Sequence, residues 1–236
     1  MDEAFRFKQF KVSHMKSSMK VGVDSVLLGA WASKEGKKML DVGTGCGLLS
    51  LMIAQRNPEI EITAIDIDED SIDEARQNFK NSLWNNRIDA FRISFQDLCS
   101  SGVEKYDLII SNPPYFNSGV TNLDSKRKLA RHQGELTPEL LIRDSRQILS
   151  GTGKLSMILP SDIWDEVKVN LKSIDLSLAR ICHVFTREGK KSKRILLEFS
   201  KDSKISCEET ELILKDGDNK ETESYLELCK DFYINF

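Results

Sequence analysis

Apolar positions along the chain alternate between short runs typical of buried strands and longer stretches with the three- and four-residue spacing of helices. This alternation is expected of βαβ units, in which helices cover a mainly parallel sheet. The last two β-rich runs have no helix between them, so we expect them to form a hairpin. The predicted strands cover residues 39–42, 60–66, 88–93, 106–111, 154–159, 179–186 and 194–200.

Helices are predicted from capping signals and from apolar spacing. Thr137 as N-cap and Pro138 at the first helical position predict a helix, which Gly151-Thr152-Gly153 separates from the next strand. Near the N-terminus the apolar spacing predicts a helix that caps the sheet, and it is carried by Val23, Val26, Leu27, Ala30 and Trp31. Without repeats or Pro/Gly/Ser-rich linkers, the chain is expected to form one domain over 1–236. Its parts are an N-terminal extension (1–38), a core (39–200) and an acidic C-terminal segment (201–236).

A glycine-rich turn, Gly43-Thr44-Gly45-Cys46-Gly47, joins the first core strand to its helix. Such a turn lets a ligand approach the backbone closely and points free amide N–H groups at it. Leu48 occupies the third glycine place of the dinucleotide fingerprint, which disfavours a nicotinamide or flavin enzyme. No Gly-Lys-Ser/Thr follows, which excludes a P-loop. A tight turn without a ligand is the alternative for this segment.

Acidic residues accompany the ends of the first three core strands. Asp41 precedes the glycine turn, Asp66 ends the second strand and Asp97 follows the third. A carboxylate at Asp66 can accept from both hydroxyls of a ribose, and one at Asp97 from the exocyclic amine of adenine. Taken alone, Asp66 is equally explained as a solvated acid in an acidic segment, and Asp97 is better explained as an exposed loop acid. Together they favour a ligand site, because open α/β sheets bind ligands at the carboxyl edge.

The segment Asn112-Pro113-Pro114-Tyr115 follows the fourth core strand. Its two prolines hold the backbone extended and remove two N–H donors, which leaves a rigid loop rich in acceptors. The Asn112 side-chain oxygen and the Pro113 carbonyl can accept both hydrogens of a planar amine, while Tyr115 stacks on its ring. That arrangement catalyses by orientation and polarisation. A strand-terminating turn is the plainer alternative.

These motifs resemble those of class I S-adenosylmethionine-dependent N6-adenine methyltransferases. The resemblance is carried by Asp41-Val-Gly-Thr-Gly-Cys-Gly47, by Ala64-Ile-Asp66 and by the Asn-Pro-Pro-Tyr segment. Residues 20–31 and 230–233 extend it over nearly the whole chain, to the tRNA1(Val) (adenine-37-N6)-methyltransferase family. The superfamily and target atom are indicated by the central motifs, whereas this tRNA is indicated by the flanking segments.

The resemblance implies a Rossmann-like α/β fold with a seven-stranded, mostly parallel sheet in the order 3-2-1-4-5-7-6, strand 7 antiparallel, and helices on both faces. It implies methyl transfer to N6 of an unpaired tRNA adenine, adenine 37 of a valine anticodon loop, without a metal. S-adenosyl-L-methionine is the implied cofactor, and its expected contacts are Asp41, Gly43, Gly45, Gly47, Asp66, Asp97 and Asn112. The catalytic residues implied at the target base are Asn112, Pro113, Pro114 and Tyr115.

The net charge of -3, taken alone, counts against a nucleic-acid partner, but the charges are segregated. Residues 1–40 carry eight Lys/Arg against four Asp/Glu and residues 187–194 five against one, so the average conceals basic surfaces. Two clusters are candidates for tRNA phosphates, or else solvated faces: Lys126, Arg127, Lys128, Arg131, Arg187, Lys190, Lys191, Lys193 and Arg194. Phe116 either stacks on the base or lies in the core, and His132 belongs either to the basic surface or to packing.

The remaining features set the wider class of protein. No apolar run reaches 18 residues and the N-terminus is acidic, so we expect a cytoplasmic protein without a membrane span. Five scattered cysteines without a C-x-x-C pair are expected to be reduced and not to bind zinc. The oligomeric state stays open between a monomer and a weak dimer. Open alternatives are methylation of a protein glutamine amide, methylation of adenine in DNA or ribosomal RNA, and an RNA-binding or assembly protein without activity.

Overall fold

The computed structural model describes residues 4–17, 20–102, 105–114, 136–170, 174–202 and 204–234. The strands in chain order are β1 Phe5–Arg6, β2 Lys11–Val12, β3 Lys38–Val42, β4 Glu61–Asp66, β5 Ile88–Arg92, β6 Tyr106–Ser111, β7 Leu149–Pro160, β8 Ser177–Phe185, β9 Arg194–Ser200 and β10 Glu208–Ile213. The helices are α1 Val23–Trp31, α2 Leu48–Arg56, α3 Glu69–Lys80, α4 Phe95–Ser100, α5 Pro138–Ile148, α6 Ser161–Asn170 and α7 Glu223–Cys229. No helix in these ranges combines the length and apolar character needed to cross a membrane.

The main sheet has eight strands in the order β10-β8-β9-β7-β6-β3-β4-β5. Strand β9 is antiparallel to both its neighbours, and the other pairs are parallel. Counted from β3 to β9, this is the predicted order 3-2-1-4-5-7-6 with the seventh strand antiparallel, which is confirmed. Strand β10 adds an eighth strand beyond the predicted seven. Its first four residues are exposed, so it has no apolar pattern, and pairing along β8 defines it.

Helices cover both faces of the sheet and enclose two hydrophobic cores. Met39 and Leu40 are consecutive in β3 and fully buried, yet they belong to different cores. Side chains alternate across a strand, so a central parallel strand must be apolar on both sides. This explains why the buried core strands were recognisable as continuous apolar runs.

Besides β10, the elements that the sequence does not predict are β1, β2, α4 and α7, and the bounds of β7 differ from the predicted ones. Strand β7 begins at Leu149, directly after α5, because Gly151-Thr152-Gly153 lies within the strand. The register with β6 shifts there: Tyr106 pairs with Leu149 and Leu108 with Lys154, so β7 has three more residues than β6 over this interval.

The two ends of the chain pack against each other. The Lys8 amide donates to the Phe232 carbonyl at 2.9 Å. The ring of Phe7 stacks on Phe10 at 4.6 Å between centroids and on Tyr233 at 6.1 Å. The β1–β2 hairpin therefore lies on the segment that follows α7, and both extend the core on the side of α1 and α2.

Candidate functional site

Three of the predicted motifs meet at one edge of the sheet. Strand β3 lies between β4 and β6 and is parallel to both, so the glycine turn, Asp66 and Asn112 leave the sheet at the same edge. The Ser111 hydroxyl donates to the Val42 carbonyl at 2.8 Å, which ties the end of β6 to the start of the glycine turn. The carboxyl edge thus gathers residues distant in sequence.

The glycine turn is shaped by positive φ angles at Gly43 (69°), Gly45 (53°) and Gly47 (85°). A Cβ atom at Gly43 or Gly45 would meet no atom within 4 Å, so the backbone there faces open space that a ligand can enter. A Cβ at Gly47 would lie 2.4 Å from Phe79 Cε1, so glycine lets α3 pack closely on the turn. The first two glycines form a cradle, and the third has a packing role.

Four of the five amide groups in the turn already have acceptors within the chain. Those of Gly43 and Thr44 donate to the Ile65 carbonyl at 2.9 and 3.0 Å. The Gly45 amide donates to Asp66 Oδ2 at 3.0 Å, and the Gly47 amide donates to the Thr44 carbonyl at 2.9 Å. The expectation that the turn presents free N–H groups is therefore wrong for these four amides. The turn offers close approach instead.

Asp41 is fully buried beneath the turn. Its Oδ2 accepts from Thr44 Oγ1 at 2.8 Å, from Ser50 Oγ at 2.7 Å and from the Ser50 amide at 3.2 Å. Its Oδ1 has no hydrogen-bond partner among the described residues. Burial raises the pKa of Asp41 to about 6, and the donors on Oδ2 only partly oppose that rise.

The two acids on the neighbouring strands stand in different surroundings. Asp66 is half-buried, and besides the turn amide it accepts from the Asp68 amide at 3.0 Å, so its carboxylate is held in place. Asp97 is exposed in the first turn of α4, where it accepts from Ser94 Oγ at 2.7 Å. Ile67 follows Asp66 and is 57% exposed, which provides an apolar surface beside the carboxylate.

Asn112 directly follows the last residue of β6 and is buried, with 6% of its surface exposed. Its Nδ2 donates to Ser25 Oγ of α1 at 2.9 Å. Pro113 is buried and Pro114 exposed. Other predicted residues lie outside the described part of the chain: Tyr115, Phe116, Lys126, Arg127, Lys128, Arg131 and His132.

The turn between β8 and β9 lies at the same edge as Asn112. Pro160 at the end of β7 pairs with Arg194 at the start of β9, which places the hairpin tip beside the carboxyl ends of the parallel strands. Lys190, Lys191 and Lys193 are exposed on this tip. Their ammonium groups form no ion pair with any residue in the described ranges. They remain predicted phosphate contacts.

The two arginines of this hairpin bind other parts of the chain. Arg194 Nε donates to Asp24 Oδ2 of α1 at 2.6 Å, and Arg187 Nη2 donates to the Gly217 carbonyl. Asp24 and the adjacent Ser25 are therefore residues that sequence reasoning missed at this edge. Their segment carries part of the family resemblance, but its apolar spacing predicts only a helix that caps the sheet.

The site chemistry fits a cofactor that carries a ribose and positive charge. The open cradle of the turn admits a ligand, Asp66 presents a fixed acceptor, and Asp41 has a buried carboxylate oxygen without a partner in the described chain. A buried carboxylate of this kind is stabilised by an approaching cation. The exposed Ile67 adds a surface for a flat ring.

Comparison with solved structures agrees with this architecture. A predicted O-methyltransferase from Agrobacterium tumefaciens superposes with a TM-score of 0.67 at 20% identity, over 89% of this chain and 96% of that one. A ribosomal protein L11 methylase from Lactobacillus delbrueckii subsp. bulgaricus gives a TM-score of 0.51 at 19% identity, over 75% and 76% of the two chains. At these identities the likeness establishes the class I methyltransferase fold.

Sequence comparison is more specific. The family model for the methyltransferase small domain matches residues 16–171. Proteins named tRNA1(Val) (adenine(37)-N6)-methyltransferase from Mannheimia succiniciproducens and Bacteroides thetaiotaomicron are each 39% identical over 98% of this chain, and over 95% and 97% of their own. One of the same name from Parabacteroides distasonis is 40% identical, over 98% and 97%. With near end-to-end relatives at this identity, the chain belongs to the tRNA1(Val) (adenine(37)-N6)-methyltransferase family.

Proposed function

We propose that this protein transfers a methyl group from S-adenosylmethionine to N6 of adenine 37 in the anticodon loop of tRNA1(Val). The observation that carries the proposal is a buried amide, Asn112, at the same sheet edge as an open glycine cradle. The names of the full-length relatives support the choice of substrate.

The cofactor seat is proposed between β3, β4 and β5. Gly43, Gly45 and Gly47 shape the turn, Asp66 accepts from the ribose hydroxyls, and Asp97 accepts from the adenine amine. The Asp41 carboxylate offsets the positive charge of the cofactor from beneath the turn. When bound, S-adenosylmethionine supplies an electrophilic methyl group, and its sulfur retains the electron pair of the broken bond. The rest of the chemistry falls to the residues around Asn112.

At the target base, Asn112 and Pro113 act as acceptors for the two N6 hydrogens. The nitrogen lone pair of adenine is delocalised into the ring, so two acceptors that favour a pyramidal nitrogen aim it at the methyl carbon. The proton released from N6 passes to one of these oxygens or to water, and no strong base is needed. Pro114 keeps the loop extended, and Tyr115 stacks on the extruded base.

The tRNA is proposed to lie across the hairpin tip and the segment that follows Asn112 in sequence. The exposed Lys190, Lys191 and Lys193 contact phosphates from the hairpin. The guanidinium groups of Arg187 and Arg194 already bind Gly217 and Asp24, so they do not contact phosphates directly, but their positive charge still attracts the RNA to this surface. A second set of cations follows the Asn112-Pro113-Pro114-Tyr115 segment in sequence: Lys126, Arg127, Lys128 and Arg131.

We further propose that residues 1–236 act as one domain in the cytoplasm, where tRNA is used. The packing of the β1–β2 hairpin on the segment that follows α7 supports a single unit, since both lie against the core in the described part of the chain. In the same way, α1 connects the extension to the catalytic edge through the Ser25–Asn112 contact.

Methyl transfer to a defined transcript tests the proposal. The purified protein is incubated with methyl-labelled S-adenosylmethionine and an unmodified tRNA1(Val) transcript, and the nucleosides are separated after digestion. A transcript with guanine in place of adenine 37 is the matched control. Duplex DNA, ribosomal RNA fragments and a glutamine-rich protein are the competing substrates.

The expected result is N6-methyladenosine in the adenine-37 transcript alone. Equal label in the guanine-37 transcript would contradict the target position. Label in DNA, ribosomal RNA or protein but not in tRNA would contradict the substrate class. Cofactor binding without label in any arm would favour a protein that has kept the fold without the activity.

A further inference from the structure

The first turn of α1 contacts the side chain on which the proposed reaction depends most. Ser25 Oγ accepts from Asn112 Nδ2 at 2.9 Å, although the two residues are 87 positions apart. Ser25 is half-buried and Asn112 is 94% buried, so water competes little for this hydrogen bond. The contact joins the N-terminal extension to the Asn112-Pro113-Pro114-Tyr115 segment.

A carboxamide has two chemically different ends, and its orientation decides what it can do. The nitrogen end donates hydrogen bonds and the oxygen end accepts them. The target amine of adenine needs acceptors. Asn112 therefore supports methyl transfer only with its Oδ1 end towards the base and its Nδ2 end away from it. The partner of Nδ2 is part of what determines that orientation.

Helix α1 is anchored at both ends, so Ser25 is a fixed reference for the amide. At its C-terminal end Arg56 Nη1 donates to two backbone carbonyls, at 2.9 and 2.6 Å. At its N-terminal end Asp24 accepts from Arg194 at 2.6 Å. An anchored helix does not follow a rotating side chain, so the hydrogen bond constrains Asn112 rather than Ser25.

We infer that Ser25 is a positioning residue that holds the Nδ2 end of Asn112 against α1 and thereby directs the Oδ1 end towards the target amine. The inference rests on the proposed N6 methylation. Ser25 acts through the orientation of Asn112, so it influences the methyl-transfer step and leaves the glycine turn and the carboxylates of the cofactor seat unchanged.

Kinetics of Ser25 variants test this role. Ser25→Ala is expected to lower kcat about tenfold. This effect is larger than that of one lost hydrogen bond and smaller than the roughly 100-fold loss of rate caused by a 1 Å misplacement of a catalytic group. The KM for S-adenosylmethionine stays as in the wild type, and the melting temperature falls by only about 2–4 °C, the effect of one lost hydrogen bond. Ser25→Thr keeps the hydroxyl and restores kcat. Ser82→Ala, which removes another half-buried serine hydroxyl that bonds to a backbone carbonyl, leaves kcat unchanged.

A double-variant cycle shows whether Ser25 affects kcat through Asn112 or independently of it. When Asn112 is already alanine, adding Ser25→Ala is expected to cause no further loss of kcat, because Ser25 then has nothing to orient. An independent tenfold loss in that background would overturn the inference, as would a wild-type kcat for Ser25→Ala.

A spectroscopic readout needs no RNA substrate. In protein labelled with ¹⁵N-asparagine, the Asn112 side-chain signal is the one missing from Asn112→Ala. Its protons are expected to exchange with solvent faster in Ser25→Ala and at the wild-type rate in Ser25→Thr. An unchanged Asn112 signal in Ser25→Ala overturns this inference alone, whereas a wild-type protein that does not methylate tRNA overturns the proposed function.

Discussion

Two fully buried carboxylates, Asp41 at the candidate site and Glu198 in β9, have opposite pKa shifts. Burial raises the pKa of Asp41 to about 6, because its donors are hydroxyl groups and one amide. Burial would also raise the pKa of Glu198, but the hydrogen bonds and charge of Arg180, with the charge of Lys154, lower it to about 2. Positive charge nearby, rather than burial, decides the sign of the shift.

The hydrogen bonds of the two carboxylates differ in the same way. Glu198 accepts from Arg180 through two bonds of 3.0 Å, from the amide and hydroxyl of Ser33 and from the Ser156 hydroxyl. Both of its oxygens are used. Asp41 keeps one oxygen without a partner in the described chain. The Glu198 cluster is satisfied within the chain, whereas the Asp41 cluster has the unfilled acceptor that the proposed cofactor site requires.

The sharpest test of this division is Asn112→Ala, which is expected to remove activity and keep the fold. Loss of one positioned polar group costs roughly 3 kcal/mol or more in the barrier, by analogy with an oxyanion-hole donor, so kcat falls at least about 100-fold. Stability changes by about 1 kcal/mol, the value of the hydrogen bond to Ser25. Single-turnover methylation and urea unfolding measure the two effects. Near-wild-type turnover would refute the role of Asn112.

Glu198→Gln is expected to do the reverse and lower the free energy of unfolding by about 3 kcal/mol, because it leaves Arg180 and Lys154 without their carboxylate. The folded pKa lies below the ordinary value of 4.5, so the carboxylate stabilises the fold fully above pH 4.5. That contribution is lost as the pH falls towards 2. Urea unfolding should show a larger deficit at pH 7 than at pH 4, with kcat unchanged. A pH-independent deficit would contradict this account.

Asp41→Asn tests whether the raised pKa serves the cofactor. At pH 7.5 the variant is expected to bind S-adenosylmethionine about tenfold more weakly, because a charge-assisted contact is lost. In the wild type, affinity should rise as Asp41 ionises through pH 6, and in the variant this rise should be absent. Calorimetric titration from pH 5 to pH 8 measures both. If the affinity of the two proteins for S-adenosylmethionine depends on pH in the same way, Asp41 does not contribute to cofactor binding.

The same variant has a consequence for stability. The folded pKa of Asp41 lies above its ordinary value of 3.8, so ionising the buried carboxyl costs stability as the pH rises from about 4 to 6. Asp41→Asn should therefore lose no stability at neutral pH, unlike Glu198→Gln. Parallel urea titrations of the two variants compare the clusters directly.

The smallest expected effect concerns the hairpin tip. Replacing Lys190 and Lys191 by glutamate should weaken tRNA binding roughly tenfold and flatten its salt dependence, because two phosphate contacts are lost. Lys34→Glu with Lys204→Glu, a matched pair beside the opposite edge of the sheet, should have little effect. The affinity for tRNA is measured at several salt concentrations for both double variants. If log affinity falls with log salt concentration equally steeply in both, the hairpin tip is not the RNA-binding surface.

The buried strands could be predicted because central parallel strands must be apolar on both faces. Strands β6 and β9 have the predicted bounds. Strand β10 could not be predicted, since most of its residues are exposed and only its hydrogen bonds to β8 identify it. The Gly151-Thr152-Gly153 segment was wrongly predicted to precede the strand, because an irregularity inside a strand and a loop before it are built from the same residue types.

The sequence by itself determined which chemical groups leave the sheet at its carboxyl edge. Strand ends are marked by local patterns, and parallel register then brings Asp66, the glycine turn and Asn112 together. Only the tertiary structure decided what each group contacts there. The hydrogen bonds of Asn112 to Ser25 and of Arg194 to Asp24 span 87 and 170 positions, so they depend on where α1 packs. No local pattern encodes that packing.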